Sequence, residues 1–333
     1  MKPCGASAPL QDLRKKFGFE PDWVVTPVKE PLDGKARMTD TEYKLVAGEL
    51  EAVFLPGRGM LGVSLRHRGE ELLRRLENLE AAAAKGSTAG IPLLYPWANR
   101  LASPRYRVAG RDVTIDPSSP LLHCDEHGLS IHGVKWALLA WEVIAARPDR
   151  LTARLEWTRP EWLGVFPFRH QVEMTATLRP DSLTIETAIR AGDAVPVSFG
   201  FHPYFGLPHL PRAQWRMELP AMRKLVLDDR GIPTGEEEAV EGFDGALGEL
   251  HLDAGFIVLE DRPRFSLSGG GRRITVEFVE NYRYTQVFAP QGMDFVALEP
   301  MTARTSALTS GHGLRVVESG QEFHAAFRIG IEA

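Results

Sequence analysis

Two short segments carry residue types that can exchange protons with a substrate. The first is Val197-Ser198-Phe199-Gly200-Phe201-His202-Pro203-Tyr204-Phe205, a histidine set between aromatic-rich runs and ahead of a proline. An imidazole with an ordinary pKa of ~6.5 can give or take a proton near neutral pH. The same pattern also suits a core histidine bonded to backbone. The second is Phe295-Val296-Ala297-Leu298-Glu299-Pro300-Met301-Thr302, where a carboxylate follows an apolar strand and precedes proline. An unpaired buried carboxylate is costly, so Glu299 must be paired, hydrogen-bonded or at the rim of a cleft. An ion pair with one of the many arginines satisfies it, and so does service as a general base. On residue types alone both readings stand for each segment.

Other patterns point to chemistry and fail on context. Gly57-Arg58-Gly59-Met60-Leu61-Gly62 matches G-x-G-x-x-G. A dinucleotide site needs a helix to open there, with its N-terminus facing the pyrophosphate. Val63-Ser64-Leu65-Arg66-His67 follows instead and alternates like a strand, so the motif reads as a glycine-rich turn. His123, His127 and His132, with Cys124 beside them, invite a metal reading. Their surroundings look like loop and strand, no second ligand cluster is legible, and no metal is expected. No Walker-type phosphate loop and no G-x-S-x-G elbow occurs.

The elements that must position these groups are strands. From Leu45 onward the dominant period is two. Leu183 to Ile189 alternates apolar and polar residues, His170 to Leu178 precedes it, and Arg179-Pro180-Asp181-Ser182 between them marks a tight turn. Leu151 to Trp157 and Ile274 to Val279 alternate too, the latter after Gly269-Gly270-Gly271. Further strands are expected at 46–55, 60–66, 105–108, 111–115, 141–147, 255–259, 284–289, 294–299 and 322–331. One helix is expected, Glu70 to Lys85. Many short strands with frequent turns predict an all-β chain, a large antiparallel β-sandwich. Residues 1–43 lack a sustained period and read as an N-terminal extension, disordered in part or packed as a strap. No linker divides the remainder, so residues 44–333 are expected to form one domain, against a length prior of roughly two.

Composition narrows the class. Hydrophobic residues make up 44% and charged residues 25% of 333, which is globular. With 39 Lys plus Arg against 44 Asp plus Glu, the net charge is −5, which disfavours binding to nucleic acid or an anionic membrane. Two cysteines make neither a disulfide framework nor a zinc module. No signal-peptide run and no stretch of membrane-spanning length occurs, so a cytoplasmic protein is expected.

At the two proton-exchanging segments the chain resembles the aldose 1-epimerase family, the galactose mutarotases. Gly200-Phe201-His202-Pro203-Tyr204-Phe205 and Leu298-Glu299-Pro300-Met301-Thr302 carry the resemblance. Leu50 to Leu65 is similar to the family's opening hairpin, and Pro96-Trp97-Ala98-Asn99-Arg100 to its P-x-x-N-R signature. Ile131-His132-Gly133 followed by Trp141-Glu142-Val143, and then Phe166-Pro167-Phe168, continue it in the family's order, over about residues 44–332. The resemblance implies a supersandwich fold and interconversion of the α and β anomers of a free sugar such as glucose or galactose. It implies Glu299 as base, His202 as acid and His132 as a second histidine, with His127-Gly128 a competing pair. It implies Arg100 and Asp253 as sugar-binding residues; hydrogen bonding to sugar hydroxyls makes Asn99 a further candidate, and Trp97, Trp136, Trp162 and Tyr204 are available for apolar sugar faces. The reaction involves no redox change and no covalent intermediate, so no cofactor is expected. The expected partner is a small-molecule sugar, and the expected assembly is a monomer or homodimer. Two alternatives stay open: a hexose-6-phosphate 1-epimerase, with Arg304, Arg100 and Lys135 as phosphate donors, and a non-catalytic carbohydrate-binding or regulatory protein.

Overall fold

Alternation of apolar and polar residues builds long antiparallel strands, and their apolar faces close on one another. The structure is a computed structural model and describes residues 41–333. One large sheet has nine strands. From one edge they are Glu142–Arg147, Arg150–Trp157, His170–Arg179, Ser182–Ala191, Glu322–Glu332, Arg272–Glu280, Arg264–Gly269, Arg216–Leu219 and Phe243–Ala246. In Ser182–Ala191, Leu183, Ile185, Thr187 and Ile189 are buried while Glu186 and Arg190 face out, which is the expected period.

A second sheet of eight strands carries the site. It runs Pro233–Val240, Met222–Leu227, Leu252–Val258, Tyr284–Ala289, Val296–Met301, Gly200–Phe201 and Leu93–Leu94, with Tyr204–Phe205 also paired to Val296–Met301. One face of this sheet sends Val287, Val296 and Leu298 into the main core, where they join Ile185, Val276 and Phe327 of the nine-stranded sheet. Its other face turns away from that core, and its apolar residues form two small groups of their own. These are Leu94, Ala98 and Met301, and Tyr204, Phe295 and Ala297. A four-stranded sheet opens the described chain: Tyr43–Ala47, Leu50–Leu55, Leu61–His67 and Glu70–Glu71.

The expected all-β sandwich is therefore the observed architecture. Three local expectations are corrected. The helix expected from Glu70 covers only Leu79–Lys85, started by the Asn78 side chain on the Ala81 amide. Upstream, Glu70–Glu71 pairs with the preceding strand, because the Glu71 carboxylate takes up the Ser64 hydroxyl and the Leu65 amide. The strand expected over 46–55 is two strands, parted at Gly48, whose φ of 60° turns the chain. The strand expected over 294–299 is Val296–Met301, with Pro300 inside it opposite Thr285. The glycine-rich motif is a short turn of 3-10 helix, Pro56–Arg58, leading into the strand Leu61–His67, as the turn reading requires. Of the expected extension, residues 1–40 lie outside the described residues, and Tyr43 already pairs with Phe54. Among the described residues no helix is long and apolar enough to cross a membrane.

Candidate functional site

Register sets the first part of the site. Gly255 lies opposite Gln286, and Gln286 lies opposite Glu299, so period two puts Asp253, Gly255, Gln286 and Glu299 on one face of the eight-stranded sheet. Ala297, two residues before Glu299, lies opposite Tyr204, which brings Tyr204 to that face as well. Gln286 Nε2 donates to Asp253 Oδ1 at 2.6 Å, and Gln286 Oε1 accepts from Asn99 Nδ2 at 3.4 Å. Gly255 makes the arrangement possible, since a Cβ there would lie 3.1 Å from Gln286 Oε1.

His202 occupies the break between Gly200–Phe201 and Tyr204–Phe205, its amide donating to the Pro92 carbonyl at 3.1 Å. Its Nε2 is 3.1 Å from Glu299 Oε1, and both side chains are almost fully buried. Tyr204 stacks on the imidazole at 4.1 Å between centroids and 9° between planes. His132 comes from the facing strand Ser130–Val134, with its ring edge-on to His202 at 5.8 Å. Its φ is 63°, and its Nδ1 accepts the Asn99 amide at 3.2 Å. Nδ1 is thus an acceptor, so neutral His132 carries its proton on Nε2.

Burial governs the charges. It pushes Glu299 well above the usual carboxylate range, and the Asp253 charge adds to this. Burial pushes His202 well below its ordinary value, helped by His132 and by Arg74. His132 is driven down to about 3 by burial and by the charges of Arg100 and His123, so it works as a neutral imidazole. Burial therefore disfavours charge on both groups, favouring the protonated carboxyl of Glu299 and the neutral imidazole of His202.

The structure gathers His202, Glu299, His132, Asn99 and Asp253 into one cluster, Asp253 and Asn99 through Gln286. Arg100 stands at its margin. Its Nε donates to Asp125 Oδ2 at 2.6 Å, and Nη2 lies 3.7 Å from Glu126. Asp125 Oδ1 also accepts the amides of His127 and Leu129, which folds the turn of that hairpin. His127 sits exposed on this turn, so His132 is the histidine that faces His202. Arg304 is buried with its Nη1 3.6 Å from Glu237. Of the four aromatics considered for sugar contact, Trp97, Trp136 and Trp162 are core residues and only Tyr204 adjoins the pair. Among the described residues no group of three or more His, Cys, Asp or Glu side chains could hold a metal ion. A separate groove of about 620 Å³ lies at the far edge of the nine-stranded sheet, and Arg262, Arg264 and Arg328 surround the Glu277 carboxylate there.

Sequence reasoning missed Gln286, Arg74 and Asp125. Gln286 had one readable signal, a large polar side chain in the middle of the otherwise core-like strand Tyr284–Ala289.

Comparison with known proteins adds a lineage to this geometry. A family model described as aldose 1-epimerase matches residues 51–330. The Escherichia coli K12 protein YihR, described as uncharacterized, is 26% identical over 254 residues, covering 71% of this chain and 77% of YihR. A galactose mutarotase-like protein from Clostridium acetobutylicum superposes with a TM-score of 0.76 at 18% identity, over 87% of this chain and 94% of that one. A GalM/aldose epimerase homologue from C. elegans gives 0.71 at 15% identity, over 88% and 99%. At such identities these two structures establish a shared fold.

Proposed function

The chain belongs to the aldose 1-epimerase family, and from that premise we propose that it is a mutarotase, interconverting the α and β anomers of a free aldose by general acid–base ring opening. The observation that carries this reading is the contact between His202 Nε2 and Glu299 Oε1, 3.1 Å apart with both side chains buried. Anomer exchange needs one group to take the proton of the C1 hydroxyl and another to give one to the ring oxygen. The O1–H electrons become the aldehyde C=O, the C1–O5 pair leaves with O5, and rotation about C1–C2 precedes closure on the other face. The step starts with the pair's proton on His202: the Glu299 carboxylate takes the proton from O1 while the His202 imidazolium gives its own to O5, and closure reverses their roles. A pair that shares one proton suits a reaction with no net proton uptake. His132, neutral with its donor on Nε2, can hydrogen-bond the ring oxygen or a neighbouring hydroxyl, and Asp253 and Asn99 offer further partners for hydroxyls. The setting we propose is cytoplasmic, with a small sugar as substrate and a monomer or homodimer as the assembly.

The test is polarimetry of freshly dissolved α-D-glucose and α-D-galactose, with wild type and with Glu299→Gln. We expect wild type to speed the approach to equilibrium and the variant to lose nearly all of that acceleration. No acceleration of either sugar, with measurable binding of both, would instead identify a carbohydrate-binding protein. Glucose 6-phosphate belongs in the same assay. The phosphorylated reading has less support, because Arg100 is occupied by Asp125 and Glu126, and Arg304 lies beside Glu237.

A further inference from the structure

The acid of the pair lacks the support that an imidazole usually has. A catalytic histidine is commonly oriented by a hydrogen bond on the nitrogen away from the substrate, which also stabilises the imidazolium. His202 Nδ1 is buried and, among the described residues, only the backbone of His202 itself offers it an acceptor. Something else must fix the ring plane and offset the cost of protonating it in a buried site.

Tyr204 is placed to do both. Its ring lies parallel to the imidazole within 9° at a centroid separation of 4.1 Å. Its hydroxyl oxygen is 3.1 Å from His202 Nε2. With the planes parallel and stacked, that oxygen sits over the face of Nε2, not in the plane where the N–H points. The in-plane direction is left for Glu299 or a sugar oxygen. The negative face of an aromatic ring favours a cation stacked on it, and more so when water is excluded. Tyr204 is itself held on every side. Its hydroxyl meets Thr88 Oγ1 at 2.5 Å, its amide donates to the Gly90 carbonyl at 2.9 Å, and Phe295 packs edge-on at 5.5 Å.

We propose that Tyr204 is a positioning residue for the acid: its ring does what a hydrogen bond from a neighbouring side chain would do, holding the plane of His202 and favouring its protonated form. The proposal rests on the mutarotase reading for its kinetic consequences and on geometry for its effect on the imidazole. The charged and titratable groups that face His202 or Tyr204 are Glu299 from the adjacent strand, His132 from the opposite hairpin and Arg74 over the Tyr204 and Phe295 rings. His132 and Arg74 oppose a positive imidazole, so the ring and Glu299 are what favour it.

Three variants separate ring from hydroxyl: Tyr204→Phe, Tyr204→Leu and Tyr204→Trp. The readouts are kcat and KM for the sugar that wild type turns over, kcat against pH, and the titration of His202 followed by NMR in imidazole-labelled protein. Tyr204→Phe keeps the ring and should keep kcat within about threefold. Tyr204→Leu should lower kcat about tenfold or more with KM nearly unchanged, and move the His202 titration and the acid limb of kcat to lower pH. Tyr204→Trp, with the stronger cation-binding face, should restore the titration to wild type or above. If Tyr204→Leu fails to fold, the order of His202 titration in the Trp, Tyr and Phe proteins decides alone. An unchanged titration and kcat in Tyr204→Leu overturns the proposal. So does a loss in Tyr204→Phe as large as that in Tyr204→Leu, which would assign the effect to the hydroxyl. Inactivity of the wild type on every sugar would sink the mutarotase reading, while the NMR titration would still judge the stack.

Discussion

Glu299 and His202 lie 3.1 Å apart, and the pH profile of the proposed reaction follows from how burial shifts each of them. Burial raises the carboxyl and lowers the imidazole, and the proposed reaction uses the pair with a single proton on it. The acid limb of kcat/KM marks the arrival of a second proton, well below the ordinary histidine value. The alkaline limb marks the loss of the shared one, well above the ordinary carboxylate value. Asp253 contributes to that raised value through its charge. Asp253→Asn should therefore move the alkaline limb to lower pH, measured by initial rates of mutarotation from pH 5 to 9, and an unmoved limb would refute the coupling. Glu299→Gln should lower kcat by about 10²- to 10⁴-fold with an unchanged melting temperature. The pair His202 and Glu299 stood out in the sequence because each interrupts an apolar run ahead of a proline, and the structure places the two in contact. Gln286 was not, because residue type alone does not tell whether a polar side chain in a strand faces solvent or a cleft. The tryptophans misled for the mirror reason: an aromatic that could stack on a sugar can equally fill a core, as Trp97 and Trp162 do.

At the scale of elements, strands were readable from their alternation, and their ends were not. Glu71 shows why. Its acidic neighbourhood and the alanines downstream read as helix, yet its carboxylate is satisfied by Ser64 and Leu65 across a turn, a contact that no local pattern announces. Two glycines hold elements closer than a side chain would leave undisturbed, one of them far closer than the other. At Gly133, beside His132, φ is 68° and a Cβ would lie 2.2 Å from the Tyr95 carbonyl oxygen. Gly133→Ala should destabilise the protein by about 1–3 kcal/mol from backbone strain alone, read from denaturant unfolding, with more from the clash. Gly255→Ala is milder. Its Cβ would press on Gln286 Oε1 at 3.1 Å and on Leu225 Cδ1 at 3.3 Å. The expected result is a normal melt with a raised KM, because Gln286 orients both Asp253 and Asn99; an unchanged KM would remove Gln286 from the binding apparatus.

For the whole molecule, buried histidines set the response to acid. His170, packed between Trp157 and Phe166 and bonded to the Phe168 carbonyl, is lowered by burial to about 4, and His132 to about 3. Between the unfolded value of ~6.5 and these folded values, the unfolded chain binds protons that the fold does not. Stability is then complete above ~6.5 and falls as the pH drops, by about 1.4 kcal/mol per unit for each such histidine. Glu299, raised on folding, acts with the opposite sign: its contribution is present at low pH and is lost as pH rises through its folded value. The histidines prevail in number, so the melting temperature should drop clearly between pH 7 and pH 4.5, and a flat profile would contradict their neutrality in the fold. The order of strands in the nine-stranded sheet bears on how the chain is made in a cell. Glu322–Glu332 lies between Ser182–Ala191 and Arg272–Glu280, and neither of those two has its full complement of neighbours without it. While the ribosome is still extending the chain, both strands present bare hydrogen-bonding edges with apolar faces behind them, a template for wrong pairing. The nascent chain is exposed from the completion of Ser182–Ala191 until Glu322–Glu332 is made, and expression yield should depend more on holdase chaperones than on the stability of the finished fold.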